Sequence, residues 1–494
     1  MRQWTLDIAL DRTRVQPLYL QLAGALADAV RQGRLKIGAP LPGTRVLATH
    51  LGVNRNTVVA AYAELVAEGV LCTRNGGGTF VAEAMPTPLR PRAIDIAIPT
   101  YFLPPEAQSS LPTGVLSPGM LTLAGGMPDA RLFPARALSR AFHRALDRRG
   151  RALVTHADPC GHVCLREQLA AMLTRTRGLM VSADNLLVTH SIEQAIDLSA
   201  RALIAPGDAV AVEAWGYPPA WNALRLAGAR LLPVRIDEYG LDIDALERLL
   251  AQQRLRAVFL TPHHQFPTAV VMAPERRARL GELALRHRFV IFEDDYDHEF
   301  HYQGKPVLPI AAGNGRANVV YLGSLANLLA PGMHTAFVTA PMAAFRRIAA
   351  LRAASDPRTD AAVECAIAEL FEDGELERHL RRACRLYRSR RDALAEALCR
   401  QLGSALEFRV PEGGLALWAR ADETIDLPAW IRAGQIEGIC FSDARRFDFQ
   451  QSDASTLRLG YGFHDEIELG EAVRRMARAL KSTLHRRDQA RAAA

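Results

Sequence analysis

Between Pro17 and Gln32, apolar residues return every three or four positions (Leu18, Leu22, Ala25, Leu26, Ala29), which predicts an amphipathic helix halted by Gly33. A second helix is expected from Thr44, its N-cap, to about Leu51-Gly52-Val53. A third, capped by Asn54, should run from Arg55 to Glu68 on an apolar face of Val58, Ala61, Tyr62 and Leu65, with Gly69 as its stop. Val70–Thr73 and Thr79–Val81 are short β runs on either side of the Gly-rich turn Asn75-Gly76-Gly77-Gly78, and so read as a hairpin. Helix, helix-turn-helix and hairpin make an α+β winged helix, whose third helix would enter the DNA major groove with its N-terminal residues on the base edges. Arg55, Asn56 and Thr57 stand at that end, with side chains suited to bases or phosphates. Arg45 opens the preceding helix, where a phosphate contact is natural, and Gly76 and Gly77 would let the wing approach the backbone closely. A winged helix used for protein contact would show the same pattern.

Residues 1–84 are therefore taken as a DNA-binding domain and 85–118, rich in proline, as a semi-rigid linker. Residues 119–484 alternate apolar strand-like runs with helical patterns, which predicts an α/β domain, and 485–494 read as a polar tail. No internal repeat is visible. A chain of 494 residues is too long for one ordinary core, and 49% hydrophobic with 23% charged residues is the composition of a globular protein. A net charge of +7 permits a nucleic-acid partner. Seven scattered cysteines without CxxC pairs argue against a disulfide scaffold and for a reducing, cytoplasmic setting. No signal-peptide pattern and no run of 18 apolar residues is present, so no membrane partner is expected. Of the 60 basic residues only Lys36, Lys305 and Lys481 are lysines.

The first segment closely resembles the GntR-family winged helix, in Pro17-Leu18-Tyr19, Gln21, Gly33, Leu41-Pro42, Arg45, the run Leu51 to Val58, Tyr62 and Gly78-Thr79-Phe80-Val81. The larger region carries a second series: Leu123 to Pro134, Pro206-Gly207-Asp208, Glu213 with Tyr217, Thr261 to Thr268, Glu293 to Phe300, Gly323-Ser324 and Leu457-Arg458-Leu459-Gly460. Together they resemble the fold-type I aminotransferase-like domain of MocR-type regulators, in which a GntR winged helix precedes a domain for pyridoxal phosphate (PLP). The resemblance covers nearly the whole chain. It implies a homodimer that reads two half-sites of operator double-stranded DNA, and a cofactor pocket that senses an amino acid or amine effector.

In that resemblance Asp294 faces the pyridinium nitrogen of PLP, Tyr296 bonds the ring hydroxyl, Tyr217 stacks on the ring, Ser324 precedes the cofactor lysine, and Arg458 grips a substrate carboxylate. Each could instead be a polar residue held at a strand end by local bonds. The lysine position itself, 33 residues after Asp294, is Asn327. An amide cannot condense with an aldehyde or shuttle the proton of transamination, so covalent attachment of PLP is not expected. The usual phosphate-binding arginine is His334, the helix start that would cradle phosphate reads Ser191-Ile192-Glu193, and the glycine after Thr268 is Ala269. Noncovalent PLP, a related ligand and an empty pocket all stay open. Lys305, in a turn-like segment, is expected at the surface, and neither Lys36 nor Lys481 is placed to substitute. A metal site is not expected, because His263 and His264, if in a strand, point to opposite faces. The sequence thus reads as a transcription regulator whose aminotransferase-like domain has lost its lysine. An aminotransferase with a DNA module, and a PLP-responsive switch, both need the lysine that is missing.

Overall fold

The computed structural model describes residues 16–74, 78–82, 119–155, 158–329, 331–451 and 455–492, with Ile8, Leu10 and Asp11. The chain divides into two compact units, Met1–Glu106 and Ala107–Ala494.

The first unit packs α1 (Leu18–Arg31), α2 (Thr44–Leu51) and α3 (Arg55–Ala67) around Leu22, Leu26, Leu47, Val58 and Leu65, all fully buried. Gly52 ends α2 in the left-handed conformation, φ 62°, where a side chain would be strained. Two residues later the Asn54 side chain accepts the Asn56 N–H at 2.9 Å and starts α3. Thr44 is not the cap expected of it: Gly43 holds that position, and the Thr44 hydroxyl instead accepts Arg55 Nε at 3.4 Å. Strands β1 (Leu71–Arg74) and β2 (Gly78–Val81) pair antiparallel from Leu71↔Val81 to Arg74↔Gly78. Val70 stays outside the hairpin because its N–H is bound to the Leu65 carbonyl as the chain leaves α3. Gly76 and Gly77, expected at the wing tip, and the linker 85–118 lie outside the described residues.

The second unit is built on a seven-stranded sheet. Its strands are β3 (Leu186–Thr189), β4 (Ala209–Glu213), β5 (Arg230–Val234), β6 (Ala257–Leu260), β7 (Val290–Asp295), β8 (Val319–Ser324) and β9 (Ala336–Thr339), in the spatial order β3-β9-β8-β7-β6-β4-β5. Only β9 pairs antiparallel to its neighbours. Apart from the edge strand β5 and the acidic end of β7, the strands are near-continuous apolar runs because both faces are covered. In parallel strands the carboxyl ends share one edge, so the segments following β6, β7 and β8 meet there; Asp294 is level with Leu322, and Asp295 with Gly323. Gly323 has no alternative: a Cβ would fall 2.3 Å from the Phe337 ring.

A three-stranded antiparallel sheet, β10 (Leu406–Phe408), β11 (Ala416–Ala421) and β12 (Thr456–Gly460), carries Arg458 opposite Trp418. The helix α4 (Ile192–Leu203) follows β3; α5 (Glu375–Leu402) and α6 (Glu466–Ala492) flank the second sheet. The residues from His485, expected as a frayed tail, continue α6 to Ala492; their arginine, glutamine and alanine are good helix formers. Arg390 of α5 is buried, donating to the Gly462 carbonyl (2.7 Å) and to buried Asp129 (2.9 Å), and so ties the unit's opening segment to its end.

Candidate functional site

On the first unit, Asn54, Arg55 and Asn56 are exposed and Thr57 is half-buried at the N-terminus of α3, while Arg45 is exposed in the first turn of α2. The four residues expected to touch DNA (Arg45, Arg55, Asn56, Thr57) thus belong to two consecutive helix starts. Arg55 Nε reaches back to Thr44, the residue before Arg45, and joins those starts directly. Two helix N-termini, two guanidiniums and an amide suit a phosphate backbone with bases beyond it.

On the second unit, the expected pocket residues gather at the carboxyl edge of the main sheet. Phe266 is the hub. Its ring lies edge-on to Tyr217 (5.2 Å), Tyr296 (6.1 Å) and Phe447 (5.1 Å), and the Arg458 guanidinium sits over it at 4.7 Å. Arg458 also donates to the Gly125 carbonyl, in a close approach that leaves no room for a Cβ on Gly126. The Tyr296 hydroxyl donates to the His264 carbonyl at 3.1 Å, and Asn327 donates to the Tyr296 carbonyl at 3.4 Å. Ser324 Oγ accepts the Ala326 N–H at 3.1 Å, a local bond that turns the chain after β8.

The electrostatics are acidic. Burial pushes the Asp294 carboxyl well above the usual range, and the Asp295 and Glu193 carboxylates push it the same way. One of its oxygens, Oδ1, is buried without a partner. Glu193, in the first turn of α4, accepts the Tyr217 hydroxyl at 2.5 Å. Burial, then Glu193, raises that phenol's pKa. Sequence reasoning treated Glu193 and Tyr217 separately; 24 positions apart, they carry no local signal of their pairing.

These residues fit PLP only in part. Asp294 offers the ring nitrogen a buried carboxylate. Asn327 offers the aldehyde no amine, and Lys36, Lys305 and Lys481, all the lysines of the chain, are exposed. The start of α4, where a phosphate would sit on backbone N–H groups, holds a carboxylate instead, and like charge opposes a dianion there. His334, expected in place of the family's phosphate-binding arginine, is exposed. The set does not fit covalently held PLP.

Two neighbouring positions make predictions. Ala269 adopts φ 60°, a conformation that costs an L-residue about 1–2 kcal/mol. Ala269→Gly is expected to raise stability by about 1 kcal/mol, read as a higher urea midpoint at unchanged m-value. Glu213, ending β4, is fully buried and accepts the Thr261 N–H and hydroxyl, both at 3.0 Å. Burial raises its carboxyl to about 7, despite bonds from Gln265 and Thr261 that lower it. The folded state therefore binds the proton more tightly than the unfolded chain. Stability should fall as pH rises from about 4.5 to about 7, by on the order of 3 kcal/mol from this group. Glu213→Gln should flatten that slope; an unchanged urea-midpoint profile between pH 5 and 8 would refute it.

One expectation fails outright. His263 and His264 do not diverge as neighbours in a strand would. β6 ends at Leu260, so the pair lies in irregular chain, and the two rings converge to 4.3 Å.

The chain matches two family models. Residues 18–81 match the bacterial regulatory proteins of the gntR family, and residues 120–476 match aminotransferase class I and II. It is 30% identical over 472 residues to the probable rhizopine catabolism regulatory protein MocR of Rhizobium meliloti, with 94% of each chain covered. It is also 30% identical to the pyridoxine biosynthesis transcriptional regulator PdxR of Corynebacterium glutamicum, covering 94% of this chain and 96% of that one. Among solved structures, the α-aminoadipate aminotransferase LysN of Thermus thermophilus superposes with a TM-score of 0.69 at 30% identity, covering 74% of this chain and 94% of that one. No helix among the described residues is long and apolar enough to cross a membrane.

Proposed function

The chain belongs to the MocR-type transcription regulators, a GntR winged helix fused to an aminotransferase-like domain, and on that premise we propose that it regulates without PLP chemistry. Its winged helix binds operator DNA as a homodimer through Arg45, Arg55, Asn56 and Thr57. Its larger domain provides the dimer and a pocket for a small effector. The observation that carries the reading is Asn327: the position relatives use for the cofactor lysine holds an amide tied to the Tyr296 carbonyl, and every lysine of the chain is exposed.

The pocket chemistry favours an amino acid or amine. Glu193 supplies negative charge for an ammonium group, Asp294 a buried carboxyl that a cation beside it would help to ionise, and Arg458 a fork for a carboxylate. Tyr217, Tyr296 and Phe266 provide apolar faces between them. A second reading, a pyridine-type ligand held noncovalently, is favoured by the buried, unpartnered Asp294 Oδ1.

The test is a titration of the purified protein with PLP, followed by absorption and borohydride reduction, beside Asn327→Lys. The wild type should gain no band that borohydride fixes to the protein, and the variant should gain one. A band in the wild type that dialysis removes would favour the second reading. A borohydride-fixed band in the wild type would make another lysine the attachment point and defeat the proposal.

A further inference from the structure

Beside the pocket, on the other face of β7, lies a cluster of histidines that the regulatory reading does not use. Asp294 and Asp295 are adjacent in an extended strand, so their side chains leave on opposite faces. Asp295 meets His263, from the segment after β6, and His298, after β7; His263 in turn meets His264 and His301. The His263 ring stacks on His298 at 4.4 Å and lies 5.7 Å from His301. Donor atoms of His263, Asp295 and His298 fall within 4.8 Å of one another, and so do those of His263, His264 and His301.

This interior is in apparent deficit. His263 is 2% exposed and neither of its ring nitrogens has a protein partner; His298 Nε2 and Asp295 Oδ1 are buried and unpartnered too. Buried polar atoms without a partner cost about 1–3 kcal/mol each, so a cluster of them calls for a ligand. His298 Nδ1 lies 2.9 Å from Asp295 Oδ2 yet outside hydrogen-bonding geometry. Asp295 Oδ2 accepts the Tyr321 hydroxyl at 2.5 Å and lies 3.8 Å from the Arg177 guanidinium, itself bonded to Glu299 and that hydroxyl, so Oδ1 is the carboxylate oxygen left to a ligand. His264 is oriented by Asp297 through Nδ1 at 2.9 Å, the carboxylate–imidazole arrangement that fixes metal-binding histidines.

We propose that this protein binds one zinc-class divalent cation in this cluster, with His263, His298 and Asp295 as its donor triad. Two imidazoles and a carboxylate are an ordinary zinc set, and donors within 4.8 Å need only small side-chain rotations to reach the roughly 3.3 Å spacing of ligands around tetrahedral zinc. Half-buried His301 forms the rim through which the ion enters. The bound ion fixes the end of β7, and with it the strand that presents Asp294 and Tyr296 to the pocket. The site shares no donor with the proposed effector contacts, so it stands or falls apart from them.

The test uses full-length protein without a histidine tag, stripped with a chelator and titrated with Zn²⁺ alone, with the stoichiometry read by metal analysis after dialysis. One equivalent is expected, and Co²⁺ in its place should give the intense visible bands of tetrahedral coordination. Outer-sphere changes alone cost about 10–100-fold in affinity, so His263→Gln and His298→Gln should each cost at least about 100-fold. The cobalt spectrum of the wild type needs no variant to fold. No stoichiometric Zn²⁺ in the wild type, or unchanged affinity in both variants, would overturn the proposal. Loss with His301→Gln but not with His298→Gln would overturn the triad.

Discussion

Arg55→Ala is expected to weaken operator binding by about 10- to 100-fold per half-site, the effect of losing an arginine worth about 1–3 kcal/mol. Its guanidinium is exposed at the start of α3 and reaches Thr44, beside Arg45. In a two-fold dimer both half-sites lose the contact, so the total loss approaches the product of the two. Arg45→Ala should behave differently. At a helix start facing phosphate, it should weaken all sequences about equally and reduce the slope of log K against log salt by about one per subunit. Arg55 and Asn56 variants should also relax the preference for one operator sequence over another. Fluorescence anisotropy with a labelled promoter fragment, run across salt concentrations, reads both quantities. Wild-type affinity in Arg55→Ala at low and high salt would remove α3 from the interface.

Arg390→Ala is expected to cost about 3–5 kcal/mol of the large unit's stability, because it leaves Asp129 buried with too little compensation. Asp129 keeps its bond from Arg131 at 2.9 Å, but the Arg131 side chain is 54% exposed and holds the carboxylate from the solvent side. Arg390 holds it from within and also caps the Gly462 carbonyl. Burial alone would raise the Asp129 carboxyl; the bonds from Arg131 and Arg390 outweigh it and hold the pKa below the usual 3.8. The contribution of this pair is therefore full above pH 3.8 and fades as pH falls below it. Arg390→Met should cost nearly as much as alanine, and adding Asp129→Asn should recover part of the loss. Equal stability of Arg390→Met and wild type in urea would show that the ion pair contributes nothing.

Local features were legible in the sequence and long-range ones were not. The three helices and hairpin of the first unit follow from apolar spacing, the Asn54 cap and Gly52, all acting within a few residues. Misplacing the α2 cap by one residue came from reading Thr44 as a cap when its hydroxyl serves Arg55, eleven positions away. The α/β architecture of the second unit was legible because its buried strands are plain apolar runs between helical patterns. What the pocket does with those strands was less so. Phe266 belongs to the Thr261–Thr268 run, but its contacts with Tyr217 and Arg458 depend on tertiary packing. The histidines were misjudged because alternation was assumed to continue past Leu260, where the strand has already ended. Asp129 and Arg390, 261 residues apart, are invisible to any window along the chain.

The near-absence of lysine reaches beyond the cofactor question. Acetyltransferases and amine-reactive probes act on the amino group of lysine once it gives up its proton, and the side chains that carry one here are three, all at the surface. Only Lys36 belongs to the DNA-binding unit, so neutralising lysines leaves the arginine charge of that unit intact. Lysine acylation is therefore expected to remove at most one positive charge, that of Lys36, from the DNA-binding unit. By the same chemistry, a dye coupled to its lysines reports on the protein without entering either the pocket or the histidine cluster.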